Sequence, residues 1–144
     1  MDKQEFISRA SGYVLLVQNQ FPEIAFSPVR YITVSAHMTK TLGCCKKFRK
    51  IGFCDLQFSS YLLSCSWEII KNTILHEICH TAVNSRGHDS TFYKVAELVG
   101  KRFGVKIQRY ATEAEWKEFS SFLPVHKVIC EKCGYTWIIK PYCK

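Results

Sequence analysis

The residues best suited to chemistry lie in one short run, His76-Glu77-Ile78-Cys79-His80. Positions i and i+4 share one face of a helix, so the imidazoles of His76 and His80 can reach a single metal ion. Glu77, beside the first histidine, can accept a proton from water at that metal. Zinc suits this arrangement because it acidifies water and polarises a carbonyl group. The pattern H-E-x-x-H therefore predicts a zinc site for hydrolysis, with Glu77 as the catalytic base.

A catalytic zinc site needs a third protein ligand and leaves a fourth position open. His88 follows a glycine, whose freedom to adopt positive φ allows the chain to turn sharply back toward the helix. Glu97 precedes Lys101 by four residues, and an exposed ion pair explains it better. His37 and His126 are remote in the sequence, which cannot place them. We predict that His88 is the third ligand, with the other three residues as alternatives.

Capping residues and periodicity predict the elements that position this site. The helix carrying the motif is predicted from about Trp67 to Asn84 after an N-cap at Ser66, and it is central because its apolar residues cover more than one face. Asp2, Asp89 and Thr112 are the predicted N-caps of the other helices. The remaining predicted elements are a helix over 3–20, strands over 29–35, 41–48 and 53–59, and helices over 90–103 and 113–122. This order predicts an α+β domain with an N-terminal helix, a small three-stranded sheet and a helical half that carries the site.

The end of the chain differs in character from the rest. Cys130-Glu131-Lys132-Cys133-Gly134 is half of a zinc knuckle, and Cys143 is the one further cysteine of this segment. Three thiolates do not complete a four-cysteine site. His126 could supply a fourth ligand to a second, structural zinc ion; alternatively the ribbon is vestigial and these cysteines bind nothing. We therefore divide the chain into a catalytic domain over 1–123 and a partial zinc-ribbon-like tail over 124–144.

Composition limits the class of protein. With 47% apolar and 14% aromatic residues, the 144-residue chain can bury a core, which excludes a disordered or fibrous class. No apolar run approaches the ~18 residues that span a bilayer. The first residues have neither the basic lead nor the apolar stretch of a signal peptide. We expect a cytoplasmic protein without a membrane partner, in which the eight cysteines stay reduced.

The basic charge balance favours an acidic partner. The formal net charge is +8 at pH 7, and DNA is the leading candidate. Lys46, Lys47, Arg49 and Lys50 cluster at the predicted hairpin turn, where phosphates could neutralise them in a salt-sensitive and sequence-independent way. The alternative is a charged, solvated hairpin that binds nothing. DNA binding would place the protein at the nucleoid or in the nucleus.

Several short patterns occur together in a characteristic order. They are Leu42-Gly43-x-Cys45 before a strand that ends at Ser59, then His76-Glu77-x-x-His80, Gly87-His88 and an aromatic residue at Phe92. This combination resembles the SprT-like (Spartan) family of zinc metalloproteases, and the likeness covers nearly the whole chain. The resemblance implies a protease domain with His76, His80 and His88 as zinc ligands and Glu77 as the base. For Spartan-like members it also implies cleavage of proteins crosslinked to DNA, with DNA as the activator.

Two rival functions come from other classes of protein. One is a nucleic-acid-binding module whose zinc is structural, although such a site has no need of the base that Glu77 provides. The other is a regulatory protein that keeps the fold without turnover. Cleavage of a protein substrate distinguishes the predicted metalloprotease from both.

Overall fold

The computed structural model describes residues 1–124, 126–129 and 136–139. Within the described residues, α-helices occur together with a small three-stranded mixed sheet, which confirms the predicted α+β class. In chain order the elements are α1 (Lys3–Gln20), β1 (Val29–Ser35), β2 (Gly43–Phe48), β3 (Phe53–Ser59), a 3₁₀ helix (Ser60–Ser64), α2 (Trp67–Cys79), α3 (Ser90–Phe103), α4 (Glu113–Ser121), β4 (His126–Ile129) and β5 (Thr136–Ile139).

The first three strands form a mixed sheet in the order β1-β3-β2. β3 lies in the centre, parallel to β1 and antiparallel to β2. Cys54, Leu56 and Phe58 of β3 are fully buried on one face, because alternate side chains of a strand point to the same side. The hairpin between β2 and β3 turns at Gly52, whose φ of 83° favours glycine. β2 is thus an edge strand, and it borders the site described below.

Helices cover the buried face of this sheet. α1 begins where Asp2 accepts a hydrogen bond from the backbone of Glu5, and it places Phe6 edge-on against Phe58 with ring centroids 5.0 Å apart. α2 is central, as predicted: Ile74, Leu75 and others on several of its faces are fully buried. Because α2 is fixed on so many sides, side chains at its C-terminal end have a rigid base.

α2 is shorter than predicted: it ends at Cys79, whereas the sequence predicted an end near Asn84. The backbone N–H of Ser27 donates to the carbonyl of Thr81 at 2.8 Å, and that of Val83 donates to the carbonyl of Ala25 at 2.8 Å. These bonds form an isolated antiparallel bridge between Phe26 and Ala82, so tertiary pairing replaces the helical bonds that local periodicity suggested. His80 is consequently the C-cap of the helix and not an interior residue.

The last two long helices begin at their predicted caps. Asp89 accepts from the backbone of Phe92 at the start of α3, and Gly104 ends α3 with a φ of 69°. A reciprocal capping box joins Thr112 and Glu115 at the start of α4. Between these helices the chain folds back onto α3. A Cβ on Gly100 would lie 2.6 Å from the carbonyl oxygen of Val105, so a side chain at position 100 would push the returning segment away.

The tail is described only in part. β4 and β5 pair in antiparallel register, from His126 opposite Ile139 to Ile129 opposite Thr136. Cys130, Cys133 and Cys143 lie outside the described residues, so a second metal site there stays a prediction, as does the domain boundary at 123. Of the helices just given, none has the length and apolar character needed to cross a membrane.

Candidate metal centre

Three imidazoles converge where α2 meets α3. His76 lies in the last turn of α2, His80 caps that helix, and His88 follows Gly87, whose φ is 58°. Their Nε2 atoms form a nearly equilateral triangle with sides of 3.1, 3.2 and 3.3 Å. Nitrogens bound at ~2.0–2.1 Å in a tetrahedral zinc site stand about 3.3–3.4 Å apart. The spacing of the three predicted ligands therefore fits one small cation.

Backbone groups lie close to two of these rings. Burial is the main influence on the pKa of His76 and of His80 and lowers both, while hydrogen bonding to the backbone of Gln108 and of Gly87, respectively, opposes part of that lowering. The three Nε2 atoms face one another at 3.1 to 3.3 Å. Such a donor set suits a metal ion, and backbone carbonyls are frequent outer partners of metal-bound histidines.

Burial keeps these rings in the form that binds metal. It lowers the pKa of His76 to about 4 and that of His80 to about 3, with smaller contributions from neighbouring histidines. The pKa of His88 is also lowered, by burial and then by Arg109. All three imidazoles are thus neutral near pH 7, as a metal ligand must be.

The ring of Phe92 packs against all three histidines. Its ring is fully buried in the first turn of α3, with its centroid 4.4 Å from that of His80, 4.8 Å from that of His88 and 5.1 Å from that of His76. The ring restricts rotation of the imidazoles by contact. The spacing of Phe92, four residues after His88, was the signal in the sequence for this contact.

Glu77 lies beside the triangle. Its Oε1 is 3.9 Å from Nε2 of His76, and only 5% of the residue is exposed. Burial raises the pKa of this carboxyl to about 8. A carboxyl whose pKa is brought near neutrality is suited both to accept and to return a proton.

A cleft of about 830 Å³ gives access to these groups. The segment from Lys40 to Cys45, including the start of β2, forms one side, and residues 108–111 together with α4 form another. The sequence did not indicate the wall at 108–111. This segment lies outside the helices and strands, so hydrophobic periodicity gave no signal for it.

The alternative ligands lie elsewhere. Glu97 forms the exposed ion pair predicted for it, with its Oε1 3.2 Å from Nζ of Lys101. His37 is exposed, and among the described residues the metal-sized cluster contains only the three histidines above. The side chain of His126 lies outside the described residues.

The four basic residues of the hairpin fall into two groups according to their contacts. Lys46 and Lys50 are exposed, whereas Lys47 and Arg49 donate hydrogen bonds to backbone carbonyls of the segment that follows α2. The structure therefore gives two of the four residues an intramolecular partner that the sequence did not reveal. Their interaction with DNA stays a prediction.

Comparison with known proteins gives the family. A search of curated proteins finds no match. Among solved structures, the metallopeptidase zymogen abylysin of Pyrococcus abyssi is similar at 13% identity and a TM-score of 0.44, over 78% of this chain and 89% of that one. The SprT-like family matches residues 12–111, a span that contains the three histidines, Glu77 and the cleft-lining residues before α4. The chain belongs to the SprT-like family, whose domains are metallopeptidase-like.

Proposed function

We propose that this protein is a zinc-dependent metallopeptidase that cleaves peptide bonds in DNA-associated or DNA-crosslinked proteins. The observation that supports the proposal best is the convergence of three neutral imidazoles beside a buried carboxyl, inside an open cleft. His76, His80 and His88 would hold the zinc ion. When bound, zinc supplies Lewis-acid polarisation of the scissile carbonyl and lowers the pKa of a coordinated water molecule.

Glu77 carries the proton in this proposal. In its ionised form the carboxylate accepts a proton from the attacking water, and the carboxylic acid then donates that proton to the leaving amine. The pKa of about 8 that burial gives this group lies close enough to neutrality for both steps.

The shape of the cleft supports an extended peptide as substrate. Residues 41–45 line it, and β2 has a strand neighbour on one side only among the described strands. An edge strand offers free backbone N–H and C=O groups to which an extended chain can pair. Pairing of this kind recognises backbone and so tolerates varied side chains, which suits an enzyme that acts on many proteins.

Charge supports the DNA-bound class of substrate. The net charge is +8, and two cations remain exposed, Lys46 in β2 and Lys50 in the turn that follows it, while the start of β2 borders the cleft. Cations at this position can bind phosphates near a protein held in the cleft. The family resemblance points to the same substrates.

The test is Glu77→Gln, which keeps the shape of the side chain but removes the base. The variant should bind one zinc ion at the histidines and lose cleavage of a protein crosslinked to DNA by about 10²–10⁴-fold. Glu97→Gln, at an exposed ion pair far from this chemistry, is the matched control and should cleave normally. Cleavage by Glu77→Gln at the wild-type rate would rule out the mechanism.

A second comparison addresses the substrate class. The same protein is offered free and crosslinked to DNA, at low and at high salt. We expect preferential cleavage of the crosslinked form, and we expect salt to weaken that preference. Equal cleavage of both forms would support peptidase activity but contradict the proposed preference for DNA-bound substrates. DNA binding by wild-type protein with no cleavage of either form would favour a binding module.

A further inference from the structure

The seven residues 81–87 between the second and third histidines, here called the ligand loop, must turn the chain back within a short distance. α2 has ended at Cys79, so most carbonyl groups of the loop have no partner in a helix and need another hydrogen-bond donor. A loop with unpaired carbonyls would be free to move, and His88 with it. The position of the third histidine therefore depends on what binds these carbonyls.

Two cations of the β2–β3 hairpin bind them. Nζ of Lys47 donates to the carbonyl of Ala82 at 2.7 Å and to that of Ser85 at 2.5 Å. The guanidinium of Arg49 donates to the carbonyl of Ser85 at 2.9 Å and to that of Val83 at 3.4 Å. Hydrogen bonds from charged donors are stronger than those between neutral groups. Three of the seven loop carbonyls are thus bound by two side chains.

Backbone hydrogen bonds hold the same loop as well. The N–H of Ser27 donates to the carbonyl of Thr81, and the N–H of Val83 donates to that of Ala25. Ser85 is fully buried, although it belongs to a connecting loop. The loop is consequently held both by the 25–27 segment and by the hairpin cations.

We propose that Lys47 and Arg49 are positioning residues that clamp the ligand loop and thereby hold His88 in the geometry required for metal binding. The inference rests on the proposed metal site, and it assigns to half of the basic hairpin a role inside the protein. Neither side chain needs to touch the metal or the substrate for this role. The expected signature is weaker metal binding in a protein that remains folded.

The test measures zinc affinity of the full chain by competition with a chromophoric chelator. Lys47→Met and Arg49→Met keep an unbranched side chain while removing the donors, and each should weaken zinc binding by about 10–100-fold, the range for outer partners of metal ligands. Lys46→Met and Lys50→Met change neighbouring cations of the same hairpin and should keep wild-type zinc affinity. Amide hydrogen exchange provides a second readout. The N–H groups of Val83 and Ser85 should exchange faster in the clamp variants, whereas those of β3 should not.

His88→Ala separates failure of the clamp from failure of the metal site. If His88→Ala retains zinc at the wild-type affinity, the proposed site itself is wrong. If His88→Ala loses zinc while Lys47→Met and Arg49→Met bind it as tightly as Lys46→Met does, the clamp is wrong. Should Lys47→Met fail to fold, Arg49→Met decides the matter because Arg49 is exposed.

Discussion

Gly43 lies against the side chain of Glu77. A Cβ atom on Gly43 would stand 3.0 Å from Cγ of Glu77 and 3.1 Å from Cδ1 of Phe58. Phe58 is fully buried in the core and has no room to retreat, so the carboxyl-bearing side chain is the group that would move. The glycine at the start of β2 is thus required by the space that Glu77 occupies.

Gly43→Ala should therefore lower catalytic turnover without removing the metal. A displacement of Glu77 by a fraction of an ångström to 1 Å is expected to reduce kcat by roughly ten- to a hundredfold, while zinc content stays at the wild-type level. Gly12→Ala in α1 is the control, since a Cβ there meets nothing within 4 Å. That variant should gain about 0.5–1 kcal/mol of stability and keep its activity. Wild-type kcat in Gly43→Ala would show that the contact has no catalytic consequence.

Asp89 links helix capping to the metal site. Its Oδ1 accepts from the N–H of Phe92 at 3.0 Å and its Oδ2 accepts from the N–H of Arg86 at 2.9 Å, on either side of His88. Asp89→Ala should cost about 1–2 kcal/mol of unfolding free energy, the usual range for a lost N-cap, and should also weaken zinc binding.

Asp2→Ala is the matched control for Asp89→Ala. It removes the N-cap of α1, which accepts from Glu5 at 2.8 Å far from the histidines in the sequence. Urea unfolding should show a comparable or smaller loss of stability, with zinc affinity unchanged. Equal zinc affinity in the two variants would contradict a role for Asp89 in placing His88.

A substitution of Phe92 tests how strongly zinc binding by the three histidines depends on their contact with its ring. Phe92→Leu should destabilise the fold by roughly 1–3 kcal/mol and should weaken zinc binding, because all three imidazoles lose the flat surface that limits their rotation. Phe6→Leu removes an equally buried ring that packs on Phe58. It should cost similar stability, measured by thermal unfolding of the metal-free proteins, and leave zinc affinity intact. A parallel loss of affinity in both variants would indicate a general effect of core packing.

The sequence predicted the bounds of a helix correctly where capping residues at its own ends determine them. α1 has the predicted bounds because Asp2 and a clear apolar stripe fix its register. The start of α3 follows from Asp89, and its end from Gly104, for the same reason. The convergence of the three histidines could be predicted because two of them share a helix face and a glycine precedes the third. These features depend on neighbours within four residues.

Features that depend on distant chain could not be predicted in this way. α2 ends early because residues 25–27 pair with 81–83, a contact between segments more than fifty positions apart. The parallel pairing of β1 with β3, and the place of β2 at the edge, depend on tertiary packing that strand propensity does not encode. Lys47 and Arg49 suggested phosphate binding, since nothing in their own neighbourhood revealed carbonyl partners more than thirty residues away.

Removal of the metal is the remaining prediction, and it concerns stability. A ligand that binds only the folded state stabilises it by about 2.7 kcal/mol when its free concentration is 100 times Kd. A chelator should therefore lower the midpoint of thermal unfolding of the wild-type protein, and added zinc should restore it. The difference between the two states is expected at the three Nε2 atoms, which lie 3.1 to 3.3 Å apart and would share the bound cation.

His88→Ala distinguishes this site from any metal held by the tail. The variant should have one zinc equivalent fewer than the wild-type protein, and its unfolding midpoint should lose the part of the chelator response that belongs to the histidines. If Cys130 and Cys133 bind metal as the knuckle pattern predicts, one equivalent survives in His88→Ala and disappears when Cys130→Ser is added. An unchanged zinc content in His88→Ala would place the bound metal somewhere other than the histidine triangle, because two imidazoles alone leave the required third ligand unfilled.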